Sequence, residues 1–350
     1  MPSSVGASVA TKAHRDSARK RRKEDRRHQF RDALANWRTW LLALLLVAGI
    51  AFAGFHWGDV KQFGELLAHA EPLWLIAAFA AQLLTYVALA AEWVLVLRAC
   101  DCPTPFFKLL RLTLTKHFAD QLVPTAGMSG NVVVVDRMIG LGASRKVAVA
   151  AVILAIISYY ASYAVCAVGV LVLLWLMGAG SWLMVGVIAI FLVVATGIPA
   201  LSLWLQKKGQ KAIPRWLRKV GPIRELFDMI GQAPGKLVRS RELIAELTVL
   251  NGIVFLLDGL TMQMCLFALG VHAPFAPAFV AFIMASIVVT LGPIPMGLGS
   301  FEAVSIGTLR LMGVPLEAAI SATLLYRGFT LWLPLLPGMV TTRRDLKRRR

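Results

Sequence analysis

The feature that most limits the fold of this chain is a series of apolar segments, each near the length that crosses a lipid bilayer. A transmembrane helix needs about 20 predominantly apolar residues. Of the 350 residues, 58% are hydrophobic, and the mean hydropathy is +0.69, so we expect a membrane protein and not a soluble one. The six predicted spans are residues 40–55, 73–97, 147–176, 182–205, 244–269 and 316–340.

The positive charges lie between these spans. The net charge is +18, and only Lys61, Arg310 and Arg327 fall outside four basic regions, residues 1–38, 98–146, 206–241 and 341–350. Basic loops face the cytoplasm in membrane proteins. We therefore predict a multi-pass protein of the cytoplasmic (inner) membrane with both termini cytoplasmic, and we expect no nucleic-acid partner.

The two basic tails and the basic loop 206–241 are expected to meet anionic lipid. Residues 1–38 form a basic cytoplasmic tail, 341–350 form a second one, and 39–340 form the membrane domain. Within the cytoplasmic loop 206–241, apolar and basic residues alternate at helical spacing, which predicts an interfacial amphipathic helix. A solvated charged loop is the alternative.

One segment inside the apolar region carries helix breakers and charges together. Leu291–Gly313 contains Pro295, Gly297, Gly299 and Glu302. Proline cannot continue a regular helix, and non-helical backbone survives at membrane depth only where protein or water surrounds it. We predict a re-entrant hairpin entering from the outer side, with an ordinary loop as the alternative. Residues 106–142 are also too polar for two spans and predict a second hairpin, entering from the cytoplasmic side.

The two hairpins match at a single offset of 171 residues. This shift carries Pro124 onto Pro295, Asn131 onto Glu302 and Gly142 onto Gly313. It also superposes the flanking spans, so the repeat halves are about 73–175 and 244–340. Because the first span of one half runs inward and its mate runs outward, the pattern predicts an inverted repeat, the usual architecture of secondary transporters.

Charged and polar residues inside the spans are the candidate functional residues, because burying them in lipid is costly. Asn251 and Asp258 are seven residues apart and share a helix face. Thr323, Arg327 and Thr330 form another polar stripe. A purely structural alternative is that Asp258 or Glu302 forms a buried ion pair with Arg327.

Two further residues receive structural interpretations. Glu92 is expected near the cytoplasmic interface, paired with Arg98 or Lys108, and His117 is expected to be a packed histidine. No cluster with metal-ligand spacing is present in the sequence. No nucleotide-binding or hydrolase motif is present either. We therefore expect no enzyme activity, catalytic residue, cofactor or metal.

A resemblance to a known family is carried by two motifs. Pro293-Ile-Pro295-Met-Gly-Leu-Gly299-Ser-Phe-Glu302, followed by Gly313, Arg327 and Trp332-Leu-Pro334, resembles the C-terminal signature of the lysylphosphatidylglycerol synthase transmembrane (flippase-like) family. The hairpin from Leu122 to Asn131 resembles its N-terminal counterpart. The similarity covers about residues 40–340.

The resemblance implies a membrane domain that flips a lipid. Larger members of that family couple such a domain, which flips aminoacylated phospholipids, to a cytosolic transferase domain. Because this chain ends at Arg350, we expect a stand-alone member that is not a synthase. Asn131 stands where the family leads us to expect an acidic residue, which concentrates the expected site on the second hairpin.

We therefore predict an all-α polytopic membrane protein that moves a polar or charged lipid head group between leaflets without ATP. Arg310 and Arg327 would hold the lipid phosphate, and Glu302 and Asp258 would contact a cationic group or exchange a proton. A transporter of a soluble anion or amphipathic metabolite is the alternative; a lipid-modifying enzyme using His117, Asp120 and Asp136 is a third. The predicted substrate-binding residues are Glu302, Arg310, Arg327, Asp258, Asn251, Pro295, Gly297, Gly299, Asn131, Arg137 and Pro124.

Overall fold

The computed structural model describes residues 70–122, 128–178, 180–208, 240–292 and 297–332. Within these ranges the chain forms nine α-helices followed by one short π-helix, and no β-strand. This confirms the predicted all-α fold class. The helices are α1 (Pro72–Arg98), α2 (Phe106–Leu122), α3 (Met128–Gly140), α4 (Arg145–Leu176), α5 (Trp182–Lys208), α6 (Arg241–Ala268), α7 (Phe275–Leu291), α8 (Ser300–Leu311) and α9 (Leu316–Arg327), and the π-helix is Gly328–Trp332.

The long helices have the character of membrane spans. Three of them, α1, α4 and α6, are long and apolar enough to cross a bilayer. Trp175 and Trp182, on either side of the turn between α4 and α5, are 79% and 92% exposed. Large exposed apolar side chains of this kind suit a lipid environment, and tryptophan is enriched at the membrane interface. The chain is therefore a polytopic membrane protein.

Several predicted segments lie outside the described residues. These are the first span (40–55), both basic tails, the predicted amphipathic helix in the cytoplasmic loop and the part of the last span beyond Trp332.

Helices α1 and α6 pack against each other along their length and run in opposite directions. Residue numbers rise along α1 as those of their partners on α6 fall. Since these helices begin the two predicted repeat halves, the halves are related by inversion, as the sequence predicted. Three contacts establish the direction: Trp74 with Phe267, Thr85 with Asp258, and Glu92 with Asn251.

The corresponding helices of the two predicted halves end in the same way. Helices α1 and α6 both end in a Schellman motif, with Asp101 (φ 56°) and Gly270 (φ 76°) in the left-handed position. Helices α3 and α8 end in the same way at Gly142 (φ 100°) and Gly313 (φ 88°). Such an end satisfies two carbonyl groups of the last turn. Each half thus contains two helices that end in a Schellman motif.

The predicted offset needs one correction. Asp101 and Gly270 are 169 residues apart, whereas Gly142 and Gly313 are 171 apart. The difference arises inside the hairpins, where the connection between α7 and α8 is longer than the one between α2 and α3. Pro124 and Pro295 belong to these connections and lie outside the described residues.

Each hairpin consists of two short helices that pack together: α2 with α3, and α7 with α8. The helices have 17 and 13 residues in the first hairpin and 17 and 12 in the second. All four are shorter than the roughly 20 residues of an ordinary span. In both halves the hairpin is flanked by the long opening helix and by the following helix, α4 or α9.

Two apolar clusters make up the described interior. One joins α1, α2 and α3 to the first part of α4 and the start of α6. The other joins the later part of α4 and of α6 to α5, α7, α8 and α9. Buried polar residues from α1, α4 and α6 lie between the two clusters, and they form part of the candidate site.

Candidate functional site

The second hairpin is anchored by an ion pair between α8 and the end of α9. Arg327 Nε lies 2.7 Å from Glu302 Oε1. The other carboxylate oxygen of Glu302 accepts the backbone N–H of Gly299 at 2.7 Å. Both side chains are mostly buried, with 11% of Arg327 and 19% of Glu302 exposed. The structure therefore pairs Arg327 with Glu302, one of the two partners that the sequence left open.

Aromatic rings enclose the same arginine. The guanidinium carbon of Arg327 lies 5.0 Å from the centroid of the Phe301 ring. Phe301 in turn stacks on Tyr326, with 5.6 Å between ring centroids and an interplanar angle of 8°. A cation over an aromatic face is attracted by the ring quadrupole. Arg327 is thus oriented by a carboxylate and by an aromatic face.

The glycines before α8 allow the chain to approach α7 closely. Gly297 and Gly299 have φ angles of 62° and 81°, which disfavour side chains. A Cβ on Gly297 would overlap the side chain of Val289. Further along α8, Ser305 Oγ lies 3.0 Å from Thr323 Oγ1 and joins α8 to α9. The start of α8 is therefore held against α7 on one side and α9 on the other.

The first hairpin contains a similar arrangement that the sequence reasoning missed. Asp120 Oδ1 accepts the backbone N–H of Gly130 in the first turn of α3 at 2.7 Å, and Asp120 Oδ2 lies 3.0 Å from Lys116 Nζ. A Cβ on Gly130 would overlap the Asp120 carboxylate. Asp120 thus binds a cation and a glycine N–H, as Glu302 does, but it joins α2 to α3.

This finding corrects the expectation that Glu302 has no acidic counterpart. The residue at the matching position, Asn131, is half-buried in the first turn of α3, and the carboxylate comes instead from the preceding helix. A search at one fixed offset could not find Asp120. The signal that could have found it is the Lys116–Asp120 spacing of four residues, which places the two side chains together on one helix face.

A buried polar cluster lies between α1, α4 and α6. Glu92 Oε1 accepts hydrogen bonds from Ser158 Oγ at 3.2 Å and from Asn251 Nδ2 at 3.1 Å. Glu92 and Asn251 are 5% and 2% exposed. The prediction that Glu92 lies at the interface with Arg98 or Lys108 is therefore wrong: its position on α1 turns it toward α6 and α4.

Asp258 makes a second polar contact between α1 and α6. We call this contact and the cluster around Glu92 together the polar seam. Thr85 Oγ1 donates to Asp258 Oδ1 at 3.5 Å. Thr85 and Glu92 are seven residues apart on α1, as Asn251 and Asp258 are on α6, so both helices turn polar groups toward each other at two levels. Helix α6, which carries Asp258, also packs against α9, which ends at Arg327.

Two predicted residues lie away from this seam. Arg310 is exposed in the last turn of α8, two helical turns from Glu302. Arg137, near the end of α3, lines a separate cavity with Lys108 and Arg111. The structure thus brings together Glu302, Arg327, Gly297 and Gly299 at one place and Asp258 and Asn251 along the seam.

The residues considered for catalysis do not gather into a metal site. Within the part of the chain that the structure describes, no group of three His, Cys, Asp or Glu side chains could hold a metal ion. His117 Nδ1 lies 3.1 Å from the Thr113 carbonyl oxygen, and its ring packs edge-on against Tyr86.

The fold and the seam define a polytopic α-helical membrane protein built as an inverted repeat with a helical hairpin in each half. The sequence profile described as the lysylphosphatidylglycerol synthase TM region matches residues 21–338. The chain belongs to this family.

A relative matches over a smaller region. Phosphatidylglycerol lysyltransferase from Bacillus subtilis (strain 168) is 29% identical over 92 residues, which are 26% of this chain and 11% of that protein. The chain thus aligns with only a small part of the curated relative's length.

Proposed function

We propose that this protein moves a phospholipid with a charged head group from one leaflet to the other, without ATP hydrolysis. The observation that carries the proposal is the Glu302–Arg327 pair, an arginine held by a carboxylate and an aromatic face at the tip of a membrane hairpin. Ionisable groups in membrane segments are costly and mark substrate paths. Family membership supports a lipid substrate.

Arg327 is suited to bind the lipid phosphate. Its planar guanidinium group matches phosphate oxygens better than a lysine would. A phosphate arriving at Arg327 competes with Glu302, so binding would exchange one ion pair for another and would release the Glu302 carboxylate. The released carboxylate could then face a cationic group on the same lipid.

Asp258 and the cluster around Glu92 extend this polar surface along the seam between the two repeat halves. A head group that leaves Arg327 would meet further hydrogen-bonding groups and not hydrocarbon, which lowers the cost of crossing. The two hairpins, each anchored through a carboxylate to a backbone N–H, are the elements that would open the path alternately.

Two other functions remain as alternatives. A carrier of a soluble anion is favoured by the inverted repeat alone. A lipid-modifying enzyme would use the acids of the first hairpin, but Asp120 is already bound to Lys116 and Gly130, and Asp136 is exposed on α3.

The test is transport by the purified protein in unilamellar vesicles. Lipids with a fluorescent acyl chain and an anionic, zwitterionic or aminoacylated cationic head group are placed in the inner leaflet, and their arrival outside is followed with a membrane-impermeant quencher. We expect protein-dependent movement of at least one charged lipid. Uptake of radiolabelled soluble phosphate compounds without lipid movement would support the carrier instead, and a new lipid product on chromatography would support the enzyme.

A further inference from the structure

We propose that a cavity between α2 and α3 binds the phosphate of an anionic phospholipid, at a site separate from the Glu302–Arg327 pair. The cavity has a volume of about 320 Å³ and is lined by Lys108, Arg111 and Arg137, with Thr115 among its polar residues. This composition favours an anion.

The cations converge because of helix geometry. Lys108, Arg111 and Thr115 lie at positions i, i+3 and i+7 of α2 and therefore share one face. Arg137 faces them from the last turn of α3. Two arginines and a lysine around one cavity offer several charge-assisted hydrogen bonds to phosphate oxygens.

Gly140 offers a position at which the cavity can be altered. It lines the cavity, and a Cβ added there would meet no atom within 4 Å. Its φ angle is not in the left-handed region, unlike that of Gly142, so the backbone itself does not require glycine at position 140. A larger side chain at this position would add bulk at the wall of the cavity without removing a charge.

The other repeat half lacks this site. The positions equivalent to Lys108, Arg111 and Thr115 are Pro277, Val280 and Met284, all buried in the apolar cluster. Leu311 corresponds to Gly140. The equivalent positions of the second hairpin therefore carry no cation, and the anion site is a property of the first half alone.

The surroundings favour a lipid over a soluble phosphate compound. Phe107 and Ile139, the neighbours of Lys108 and Gly140 in the chain, are 81% and 43% exposed. Exposed apolar side chains beside a cationic cavity suit a molecule with a phosphate and acyl chains. In the topology predicted from the basic loops, this end of the hairpin faces the cytoplasmic leaflet.

The test measures lipid binding to the whole purified protein and not transport. Wild type, Gly140→Leu and Gly186→Leu are compared by native mass spectrometry after addition of phosphatidylglycerol or phosphatidylcholine. Gly186 is a helical glycine on α5 that also faces open space and serves as the control. We expect wild type and Gly186→Leu to retain phosphatidylglycerol preferentially, and Gly140→Leu to lose that preference at least fivefold.

Three results would overturn the proposal. Equal retention by Gly140→Leu and the control would show that the cavity is not the site. Equal binding of phosphatidylglycerol and phosphatidylcholine by wild type would show that the cations do not select an anionic lipid. They would then form only a basic surface that sets membrane orientation. Displacement of the lipid by inorganic phosphate or glycerol phosphate at similar concentration would indicate a soluble ligand. Because binding is measured without transport, failure here and failure of the proposed translocation are distinguishable.

Discussion

Arg327 Nε and Glu302 Oε1 lie 2.7 Å apart, and the same carboxylate accepts the N–H of Gly299. One side chain therefore ties the end of α9 to the start of α8 and to the glycine turn before it. In the first hairpin, Asp120 makes the corresponding pair of contacts with Lys116 and Gly130. Each half of the inverted repeat thus holds its hairpin through a carboxylate shared between a cation and the backbone.

Removing the carboxylate should destabilise the second hairpin. Breaking a buried ion pair by deleting one partner costs about 3–5 kcal/mol, and partial exposure of Glu302 lowers our expectation for Glu302→Ala to about 2–3 kcal/mol. Glu302→Gln keeps an acceptor for Gly299 and should lose about half as much. The measurement is the midpoint of thermal unfolding in detergent. Glu317→Gln, at an exposed acid of α9, is the control; identical midpoints for all variants would contradict the assignment.

The antiparallel packing of α1 and α6 should be detectable by cross-linking. The rings of Trp74 and Phe267 are 4.9 Å apart between centroids. In a variant lacking the four natural cysteines, Trp74→Cys with Phe267→Cys should react with a short bifunctional thiol reagent within one molecule. Trp74→Cys with Glu246→Cys, at the other end of α6, should not. The reverse pattern would mean that the two repeat halves run in parallel.

Gly297 should not tolerate even a methyl group. In Gly297→Ala the Cβ would overlap Val289, and the positive φ would cost about 1 kcal/mol or more besides. We expect a lower yield of folded protein by size-exclusion chromatography. Adding Val289→Ala should restore part of the yield because it removes the overlap and leaves the backbone strain. Gly307→Ala, where the Cβ meets open space, should behave like wild type; if Gly297→Ala does so too, the close approach is wrong.

The cluster around Glu92 should respond more to the loss of one partner than to the loss of both. Asn251→Leu removes a hydrogen bond to a buried carboxylate, which costs about 1–3 kcal/mol. Replacing Glu92 by Met in the same protein removes the carboxylate that has lost its donor, and it should recover most of the lost stability. Thermal unfolding midpoints of the single and double variants give the comparison. Additive losses would show that the two side chains do not interact.

The sequence predicted the long helices well because their boundaries follow from hydrophobic length. The expected spans 73–97 and 147–176 became α1 and α4 with changes of at most two residues. The hairpins were also predictable, since prolines and glycines interrupt any helix that contains them. Gly142 and Gly313 were paired by spacing alone, and both adopt the left-handed conformation that ends a helix.

The side-chain partners were harder to predict. Glu92 was assigned to the interface because Arg98 is near in sequence, but its bonds go to Ser158 and Asn251, 66 and 159 residues away. Which face of α1 meets α6 depends on packing between helices, and the apolar residues around the whole of α1 do not reveal it. Asp120 was not predicted as the counterpart of Glu302, because it lies on the helix before the turn and not at the position that matches Glu302.

The most direct test of the central claim compares lipid movement by wild type, Arg327→Gln and Arg241→Gln in vesicles. Arg327 is the arginine held at the hairpin tip, whereas Arg241 is exposed at the start of α6. We expect Arg327→Gln to slow movement of the transported lipid at least tenfold per folded molecule, with the amount of folded protein measured by size-exclusion chromatography. Arg241→Gln should keep the wild-type rate. Equal rates for all three folded proteins would contradict a role for Arg327 in carrying the head group.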